Sequence, residues 1–247
     1  MSRPEVLVEE VPGLPGMRIV RLDAADRKNA LTGDSARGMR EALARVDADE
    51  TVAVVIITGG PAFCAGAHRD LLDGVAADES WAMRDIADVY GIFTDMRAMR
   101  VPTIAAVRGQ AVGAGLNIAL AADVRVVAEN AYLRSMFVAN QIHPGGGHLR
   151  MLGDIGGPEV AYLMGVLDQR LTGAEFVAAG LASTSVDDGE VESTAIDLAR
   201  AVAAEPVLGR LIKKSLQETA TGEVEDASRL EGQRQQATLR ARSTAHS

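Results

Sequence analysis

Residues 102–115 read PTIAAVRGQAVGAG, in which an apolar stretch passes through a glycine-rich turn into an alanine-rich segment. The residues at 103–107 predict a buried strand, and those at 114–122 predict a helix. Glycines at such a turn supply unusual dihedral angles or let another chain approach the backbone. The first N–H groups of a helix have no intrahelical partner, and the helix dipole adds positive potential there. The stretch therefore indicates an α/β fold with free backbone donors at the start of a helix.

A second glycine-containing turn lies earlier in the chain, where residues 63–67 read FCAGA. It follows the run VAVVIIT at 52–58, whose lack of polar alternation is typical of a strand that is covered on both faces. Either turn alone has the weak specificity of any glycine turn, and an ordinary tight turn is the commoner explanation. Two such turns, each after an apolar strand, favour a shared site.

The rest of the chain alternates strands with helices and then becomes almost wholly helical from about residue 148 to the end. This order predicts an α/β fold with a C-terminal helical layer. We expect a core over residues 1–190 and a helical region over residues 191–247. The further predicted elements are strands at 6–11, 17–22, 124–128 and 132–133, a Pro/Gly turn at 12–16, and helices at 35–46 and 80–99.

Composition excludes several classes of protein. Of the 247 residues, 47% are hydrophobic but only 3% are aromatic, so the core is aliphatic and the chain is not disordered. The aromatic stacking platforms of single-strand nucleic-acid binders are absent from the sequence. The net charge of −9 disfavours a nucleic-acid partner, and an anionic substrate would need a local basic patch.

The sequence also bears on location. A single cysteine, Cys64, cannot form an internal disulfide, which fits a reducing compartment. Residues 1–16 are acidic and proline-broken, so we expect no signal peptide. The apolar runs are too short to cross a membrane. We expect a soluble, cytoplasmic protein with no membrane partner.

Short motifs occur along much of the chain. They are RKNAL at 27–31, VIITG at 55–59, FCAGA at 63–67, PTIAAV at 102–107, the glycine-rich turn at 109–115, AAD at 121–123 and LTG at 171–173. Their order resembles the crotonase (enoyl-CoA hydratase/isomerase) superfamily over roughly residues 5–240. The resemblance implies a spiral of ββα units that forms two roughly perpendicular sheets, with C-terminal helices that build a homotrimer or a dimer of trimers. It implies an acyl-CoA thioester as substrate, with coenzyme A as part of the substrate and no other cofactor.

The superfamily's shared chemistry is an oxyanion hole for a thioester enolate. By position, the resemblance implies that its two donors are the backbone N–H groups of Ala67 and Ala114. A donor aimed at an oxygen that gains charge is worth about 3–4 kcal/mol in favourable cases. The resemblance also implies substrate contacts, which by position are Arg27, Lys28, Cys64, Ala65, Ala67, Gly113, Ala114 and Phe137. For Arg27 and Lys28, which match a basic spot near the nucleotide phosphates, a solvated turn is the alternative.

The sequence departs from the superfamily at the positions of its two catalytic glutamates. Asn117 and Phe137 stand there, and neither side chain can move a proton at neutral pH. Because proton transfer typically supplies about 10²–10⁴-fold in rate, we expect ordinary hydration to be very poor. Relative to many relatives the chain also ends soon after Leu239, so we expect it to lack a final helix segment.

Three histidines, His68, His143 and His148, lie in segments that line the pocket of related proteins. One of them could replace the missing acid and base, or all could be structural. Decarboxylases of the superfamily are similar in placing a histidine beside the first donor, one position earlier than His68. A metal site formed by these histidines with Cys64 is the weakest interpretation, and we expect no metal. We expect Asp123 to be a structural partner at a helix end.

Three functions therefore stay open. The first is an enzyme of the enoyl-CoA hydratase/isomerase type that stabilises a thioester enolate, a lyase or isomerase of fatty acid metabolism. The second is an acyl-CoA decarboxylase or hydrolase that uses a histidine. The third is a catalytically weak acyl-CoA-binding or assembly subunit.

Overall fold

The computed structural model describes residues 5–245, which form two sheets surrounded by helices. The strands are β1 (Val6–Val11), β2 (Leu14–Leu22), β3 (Val54–Thr58), β4 (Thr103–Val107), β5 (Gln110–Val112), β6 (Val124–Ala128), β7 (Tyr132–Arg134) and β8 (Thr184–Val186). The helices are α1 (Gly33–Ala48), α2 (Arg69–Ala76), α3 (Ser80–Ala98), α4 (Ala114–Ala121), α5 (His148–Ala161), α6 (Gly173–Ala178), α7 (Val191–Ala203), α8 (Pro206–Thr219) and α9 (Val224–Ala245).

The larger sheet has the strand order β1-β2-β3-β4-β6-β8, and the smaller sheet pairs β5 with β7. Strands β1 and β2 are antiparallel, whereas the other pairs are parallel. Every residue of β3 and β4 is buried, as their unbroken apolar runs predict for strands covered on both faces. Two strands followed by a helix recur as β1-β2-α1, β4-β5-α4 and β6-β7-α5. The expected α/β fold of ββα units is confirmed.

Helix α7 forms part of the core rather than a peripheral layer. Its residues Val191, Ala195, Ala199 and Ala203 are buried, and the helix packs against β2, β3, β4 and β6. Small side chains at a four-residue spacing place a narrow apolar stripe against the sheet. The first helix of the predicted C-terminal region therefore completes the α/β core.

Helix α8 is fixed to the core by two buried cations. The Arg210 guanidinium donates to three backbone carbonyl oxygens. Its Nη1 lies 2.9 Å from that of Asp47, its Nη2 2.6 Å from that of Asp49, and its Nε 3.2 Å from that of Val52. The ammonium group of Lys213 lies 2.7 Å from the carboxylate of Asp123. Asp123 also accepts from the backbone and hydroxyl of Thr103, and the expectation that it is a structural partner is confirmed.

Three elements differ from those expected from sequence. Strand β8 lies in the region expected to be almost wholly helical, and it extends the larger sheet beside β6. Helix α2 occupies a segment for which no element was predicted, and the short strand β5 lies within the predicted glycine-rich turn. Within residues 5–245, no helix has both the length and the apolar character needed to cross a membrane.

Candidate active site

The backbone N–H of Ala67 points into a cavity because of the pairing beside it. Leu31 donates its N–H to the Gly66 carbonyl at 2.7 Å, and its own carbonyl accepts from the His68 N–H at 2.8 Å. Alternate backbone groups of an extended segment point to opposite sides, so the Ala67 N–H faces away from Leu31. It has no hydrogen-bond acceptor among the residues that the structure describes.

The N–H of Ala114 is free because Ala114 is the first residue of α4. The preceding residue, Gly113, turns the chain from β5 into the helix with φ 52° and ψ −115°, a left-handed conformation that favours glycine. The Gly113 carbonyl accepts from the Asn117 N–H at 3.0 Å, which closes the first turn. Within residues 5–245 the Ala114 N–H has no acceptor either.

The two donor loops pack backbone against backbone. A Cβ atom added at Gly66 would lie 2.9 Å from the Val112 carbonyl oxygen and 3.8 Å from the Ala114 nitrogen. A Cβ atom added at Gly115 would lie 2.2 Å from the Cys64 carbonyl oxygen. The glycines are therefore required for close approach, and they bring the two free N–H groups to one cavity.

That cavity has a volume of about 610 Å³, within the range of small-molecule sites. Both donor residues line it, and so do Ala65 and Gly113. Most of the remaining wall is apolar, and among the described lining residues the one acidic side chain is the exposed Asp73. The apolar lining consists of Leu72, Ala76, Ile86, Val89, Phe93, Val112, Met136, Phe137 and Ile142, with Tyr90 beside them.

A chain of three buried polar side chains lies beside the second donor. The amide nitrogen of Asn117 donates to the Gly145 carbonyl at 3.1 Å, and its Oδ1 lies 2.6 Å from Nδ1 of His148. The other ring nitrogen, Nε2, lies 2.7 Å from the hydroxyl oxygen of Ser135. Each of the three side chains belongs to a residue that is 1% exposed. We call this chain the Ser135–His148–Asn117 relay.

The hydrogen bonds determine where the protons of the relay lie. Because the Gly145 carbonyl can only accept, it fixes the amide NH₂ of Asn117 on that side and leaves Oδ1 facing the histidine. Oδ1 can only accept, so Nδ1 of His148 carries the proton. Nε2 of the neutral ring is then an acceptor, and the Ser135 hydroxyl donates to it. Burial lowers the pKa of His148 to about 4, so the ring is neutral at pH 7.

Ser135 reaches the site because of strand pairing. Strands β5 and β7 are parallel and end with the pair Val112↔Arg134, and the Gly113 N–H donates to the Arg134 carbonyl at 3.1 Å. The next residues on the two strands are therefore Gly113 and Ser135. Ser135 was not among the site residues predicted from the sequence. The signal that could have found it is its position directly after a predicted strand whose neighbour ends at the donor loop.

Phe137 lines the cavity and packs against the relay. Its ring centroid lies 4.9 Å from that of His148. An aromatic ring on an imidazole excludes water and contributes to the low pKa of His148 by burial. At the two positions of the superfamily's glutamates, this protein thus has an amide inside a hydrogen-bonded chain and an apolar cover.

The segment that carries Phe137 is held by a second side chain that sequence analysis missed. The carboxylate of Asp168, which is almost fully buried, accepts from the backbone N–H groups of Met136 at 2.7 Å and Ala139 at 3.2 Å. It also pairs with Arg134 at 2.9 Å. Asp168 has φ 52°, and no pattern in the sequence distinguishes it from an ordinary turn residue.

The three histidines singled out from the sequence have different positions. His68 is the N-cap of α2, where its Nδ1 accepts from the Asp70 N–H at 3.3 Å, and its side chain lines a separate depression beside Trp81. His143 lines the cavity, and its ring is exposed. His148 is the buried member of the relay. The structure therefore brings His143 and His148 to the site but places His68 outside the cavity.

Cys64 and Arg27 are engaged in structural contacts. The Cys64 thiol donates to the Asn29 carbonyl at 3.0 Å, and burial raises its pKa to about 12, so the thiol stays protonated. Arg27 donates to the Ala30 carbonyl at 3.0 Å and pairs with Glu5 at 2.5 Å. Neither side chain is among the residues that line the cavity.

Lys28 is exposed, and the structure gives its ammonium group no ion-pair partner among the described residues. Its carbonyl accepts from the Ala65 N–H at 3.0 Å, which places it next to the cavity rim. The following residue, Asn29, was missed from sequence. Its buried amide donates to the carbonyls of Gly59 and Ala62 at 2.8 and 2.6 Å, so it fixes the Lys28 turn against the loop before the first donor.

Among the described residues there is no group of three or more His, Cys, Asp or Glu side chains that could hold a metal ion. His68 and His148 lie in different places, and Cys64 is protonated and buried. The geometry gives the metal-site interpretation no support.

Comparison with known proteins places the chain in a family. The family model for enoyl-CoA hydratase/isomerase matches residues 15–246. A probable enoyl-CoA hydratase, EchA14 of Mycobacterium tuberculosis, is 38% identical over 189 residues, which is 76% of this chain and 72% of that protein. The bovine mitochondrial enoyl-CoA hydratase domain-containing protein 2 is 31% identical over 224 residues, or 88% of this chain and 75% of that protein.

Solved structures of enoyl-CoA hydratases have the same fold as this chain. An enoyl-CoA hydratase from Bacillus anthracis superposes with a TM-score of 0.85 at 25% identity, covering 96% of this chain and 91% of that one. A putative enoyl-CoA hydratase from Thermobifida fusca, solved in complex with CoA, superposes with a TM-score of 0.80 at 25% identity, covering 98% and 95%. The sequence motifs, the fold and these relatives lead to one conclusion: the chain belongs to the enoyl-CoA hydratase/isomerase family of enzymes.

Proposed function

We propose that the protein binds an acyl-CoA thioester and stabilises the negative charge that develops on its carbonyl oxygen with the N–H groups of Ala67 and Ala114. The observation that carries the proposal is that two backbone donors without acceptors in the described chain face one largely apolar cavity. A fixed donor inside a water-poor site costs no reorganisation when the charge forms.

With the carbonyl oxygen bound at the two donors, the positions of the acyl group and the nucleotide follow. The acyl group lies along the apolar wall formed by residues such as Val89 and Phe93. The nucleotide end of CoA lies near Lys28, which supplies a cation at the rim, and Ala65. Arg27 supports the turn through Glu5 rather than contacting phosphate. Lys28→Glu is expected to weaken CoA binding in titration calorimetry at low salt, whereas Lys214→Glu on the exposed side of α8 leaves it unchanged.

The proposed reaction differs from ordinary hydration. Addition of water across a 2-enoyl thioester needs a group that takes a proton from the water attacking C3 and a group that delivers a proton to C2, and neither Asn117 nor Phe137 can do either. The neutral Ser135–His148–Asn117 relay is the proton-transfer group that adjoins the donors. Of the alternatives, the relay favours a histidine-dependent acyl-CoA hydrolase or decarboxylase over a binding subunit without activity.

Removal of one donor tests the proposal. Ala114→Pro deletes the N–H at the first position of a helix, where proline is tolerated, and Ala114→Gly is a matched control that keeps the N–H. Acetoacetyl-CoA is a suitable probe because its enolate absorbs in the near ultraviolet. A hydrogen bond to a charged group contributes about 1.5–3 kcal/mol, so the enolate fraction bound by Ala114→Pro should fall about tenfold or more.

Equal enolate signals from Ala114→Pro and Ala114→Gly, with both variants folded by circular dichroism, would contradict the assignment of Ala114. Loss of the signal in both variants, with binding retained, would instead assign the effect to the alanine side chain rather than to its N–H.

We also propose that the protein assembles as a homotrimer or a dimer of trimers. Helix α8 presents Val207, Ile212 and Leu216 to solvent at 75%, 53% and 66% exposure. Tyr162 and Leu167, in the segment after α5, are similarly exposed. Large apolar side chains at such density support an interface between copies of the chain.

A further inference from the structure

Each side chain of the relay donates to the next, from the Ser135 hydroxyl through the His148 ring to the buried Asn117 amide. Asn117 holds Nδ1 of His148 protonated, and Nε2 therefore accepts the Ser135 proton. A serine whose proton is held by a neutral imidazole, itself oriented by a third side chain, is the arrangement that activates a nucleophile. Here the orienting group is an amide instead of a carboxylate.

Ser135 also lies next to the loop that carries the second donor. It follows Arg134 at the end of β7, beside Gly113 at the end of β5. Adjacent strands lie about 4.8 Å apart, so the Ser135 backbone lies next to that of Gly113, the residue before the donor Ala114. The Ser135 carbonyl oxygen is 3.7 Å from the position of a Cβ added at Gly113, so the two backbones are in contact.

Access singles out the same atom. Ser135, Asn117 and Phe137 line the cavity, whereas His148 lies behind them and is not part of its described lining. The Asn117 amide already donates to Gly145 and accepts from His148. Of the relay's three members, Ser135 is the one that combines a place on the cavity wall with a hydroxyl that can attack a thioester.

We propose that Ser135 is a nucleophile and that the protein hydrolyses acyl-CoA thioesters through an acyl-serine intermediate. The inference rests on the proposed function, since it requires a thioester carbonyl on Ala67 and Ala114. The Ser135 oxygen attacks the carbonyl carbon while its proton moves to Nε2 of His148. The C–S bond then breaks, and that proton passes to the sulfur of coenzyme A, which leaves as a free thiol.

Water completes the cycle. A water molecule transfers a proton to Nε2 of His148 and attacks the serine ester, the C–O bond to Ser135 breaks, and the proton returns to the serine oxygen. The products are a carboxylic acid and coenzyme A, and no electron donor or acceptor is needed. Because the chemistry acts at the thioester carbon, saturated acyl chains are substrates as well as 2-enoyl chains.

The test measures free CoA released from saturated straight-chain acyl-CoAs by chromatography, with the wild type and two serine variants. Ser135→Ala should lose at least about 100-fold of the release rate, as expected when an activated nucleophile is removed. Ser193→Ala, at an exposed position on α7, is the matched control and should release CoA at the wild-type rate.

A covalent readout separates a nucleophile from a structural hydroxyl. Mass spectrometry after a rapid acid quench should show the acyl group on the peptide that contains Ser135 in the wild type and in Ser135→Cys. Ser135→Ala should show no acylated peptide, and His148→Gln should form it at least about tenfold more slowly because the base is lost.

Binding of a non-hydrolysable thioether analogue of the acyl-CoA distinguishes a failure of the hydrolase inference from a failure of the proposed function. If the thioether binds but CoA release is absent, or is equal in wild type and Ser135→Ala, the hydrolase inference is wrong and the proposed function stands. If the thioether does not bind the wild type, the proposed function fails and this inference fails with it.

Discussion

At the scale of single residues, Asn117 shows how one substitution changes the chemistry available to a site. A glutamate at that position would present a carboxylate to the substrate. The asparagine instead turns its oxygen to His148 and its nitrogen to the Gly145 carbonyl. Under the proposed function, proton transfer therefore falls to His148 and Ser135 rather than to residue 117.

The low pKa of His148 leads to a prediction about stability that does not depend on activity. An unfolded histidine has a pKa near 6.5, whereas burial lowers that of folded His148 to about 4. The unfolded state then binds more protons between these values, so the free energy of unfolding falls as pH falls through this window. The contribution of His148 is fully present above about pH 6.5 and is lost by about pH 4.

We expect the wild type to lose about 1 kcal/mol more unfolding free energy than His148→Gln between pH 6 and pH 5. Urea denaturation of both proteins at the two pH values measures this difference, and the shared carboxylates cancel in the comparison. An equal pH dependence would mean that His148 titrates alike in the folded and unfolded states, and the buried neutral relay would be wrong.

At the scale of elements, long apolar strands were the most predictable part of the fold. Strand β4 has the predicted bounds, and β3 begins at Val54, within the predicted run. Both strands are buried on two faces, so their unbroken apolar sequence indicates their structure directly. Strand β8 could not be predicted in this way because its three residues, Thr-Ser-Val, are half-buried at a sheet edge. Its pairing with β6 is set by tertiary structure.

The candidate site likewise has one part that the sequence predicts and one part that it does not. Ala67 and Ala114 were predictable because each lies in a short motif, and local backbone geometry determines where its N–H points. The relay was not predictable as a unit. Its members come from α4, from the residue after β7 and from the start of α5, and only the packing of these elements brings them within hydrogen-bond distance.

At the scale of the whole molecule, the exposed apolar residues of α8 predict association. Val207→Glu together with Ile212→Glu should shift the sedimentation coefficient from that of a trimer or hexamer toward that of a monomer, because two charges would be buried in the interface. Lys214→Glu, on the same helix and exposed, is the control and should leave the assembly intact. A wild type that sediments only as a monomer at micromolar concentration would contradict the prediction.

The proposed change of reaction needs no change of fold. The donor loops depend on the close backbone contacts of Gly66 and Gly115 and on the positive φ of Gly113. The proton-transfer groups lie on side chains that point into the cavity or behind it, and they can be exchanged without altering the loops. Family membership therefore predicts the thioester site better than it predicts the chemistry that follows.

The most direct test of the central claim, that a neutral serine–histidine–asparagine relay replaces the two carboxylates, is a single reaction with crotonyl-CoA in which hydrated product and free CoA are measured together. The account predicts free CoA whose release depends on Ser135, and hydration far below the rate of about 10 s⁻¹ that is typical of enzymes. Hydration at that rate or faster, unchanged by Ser135→Ala, would contradict it.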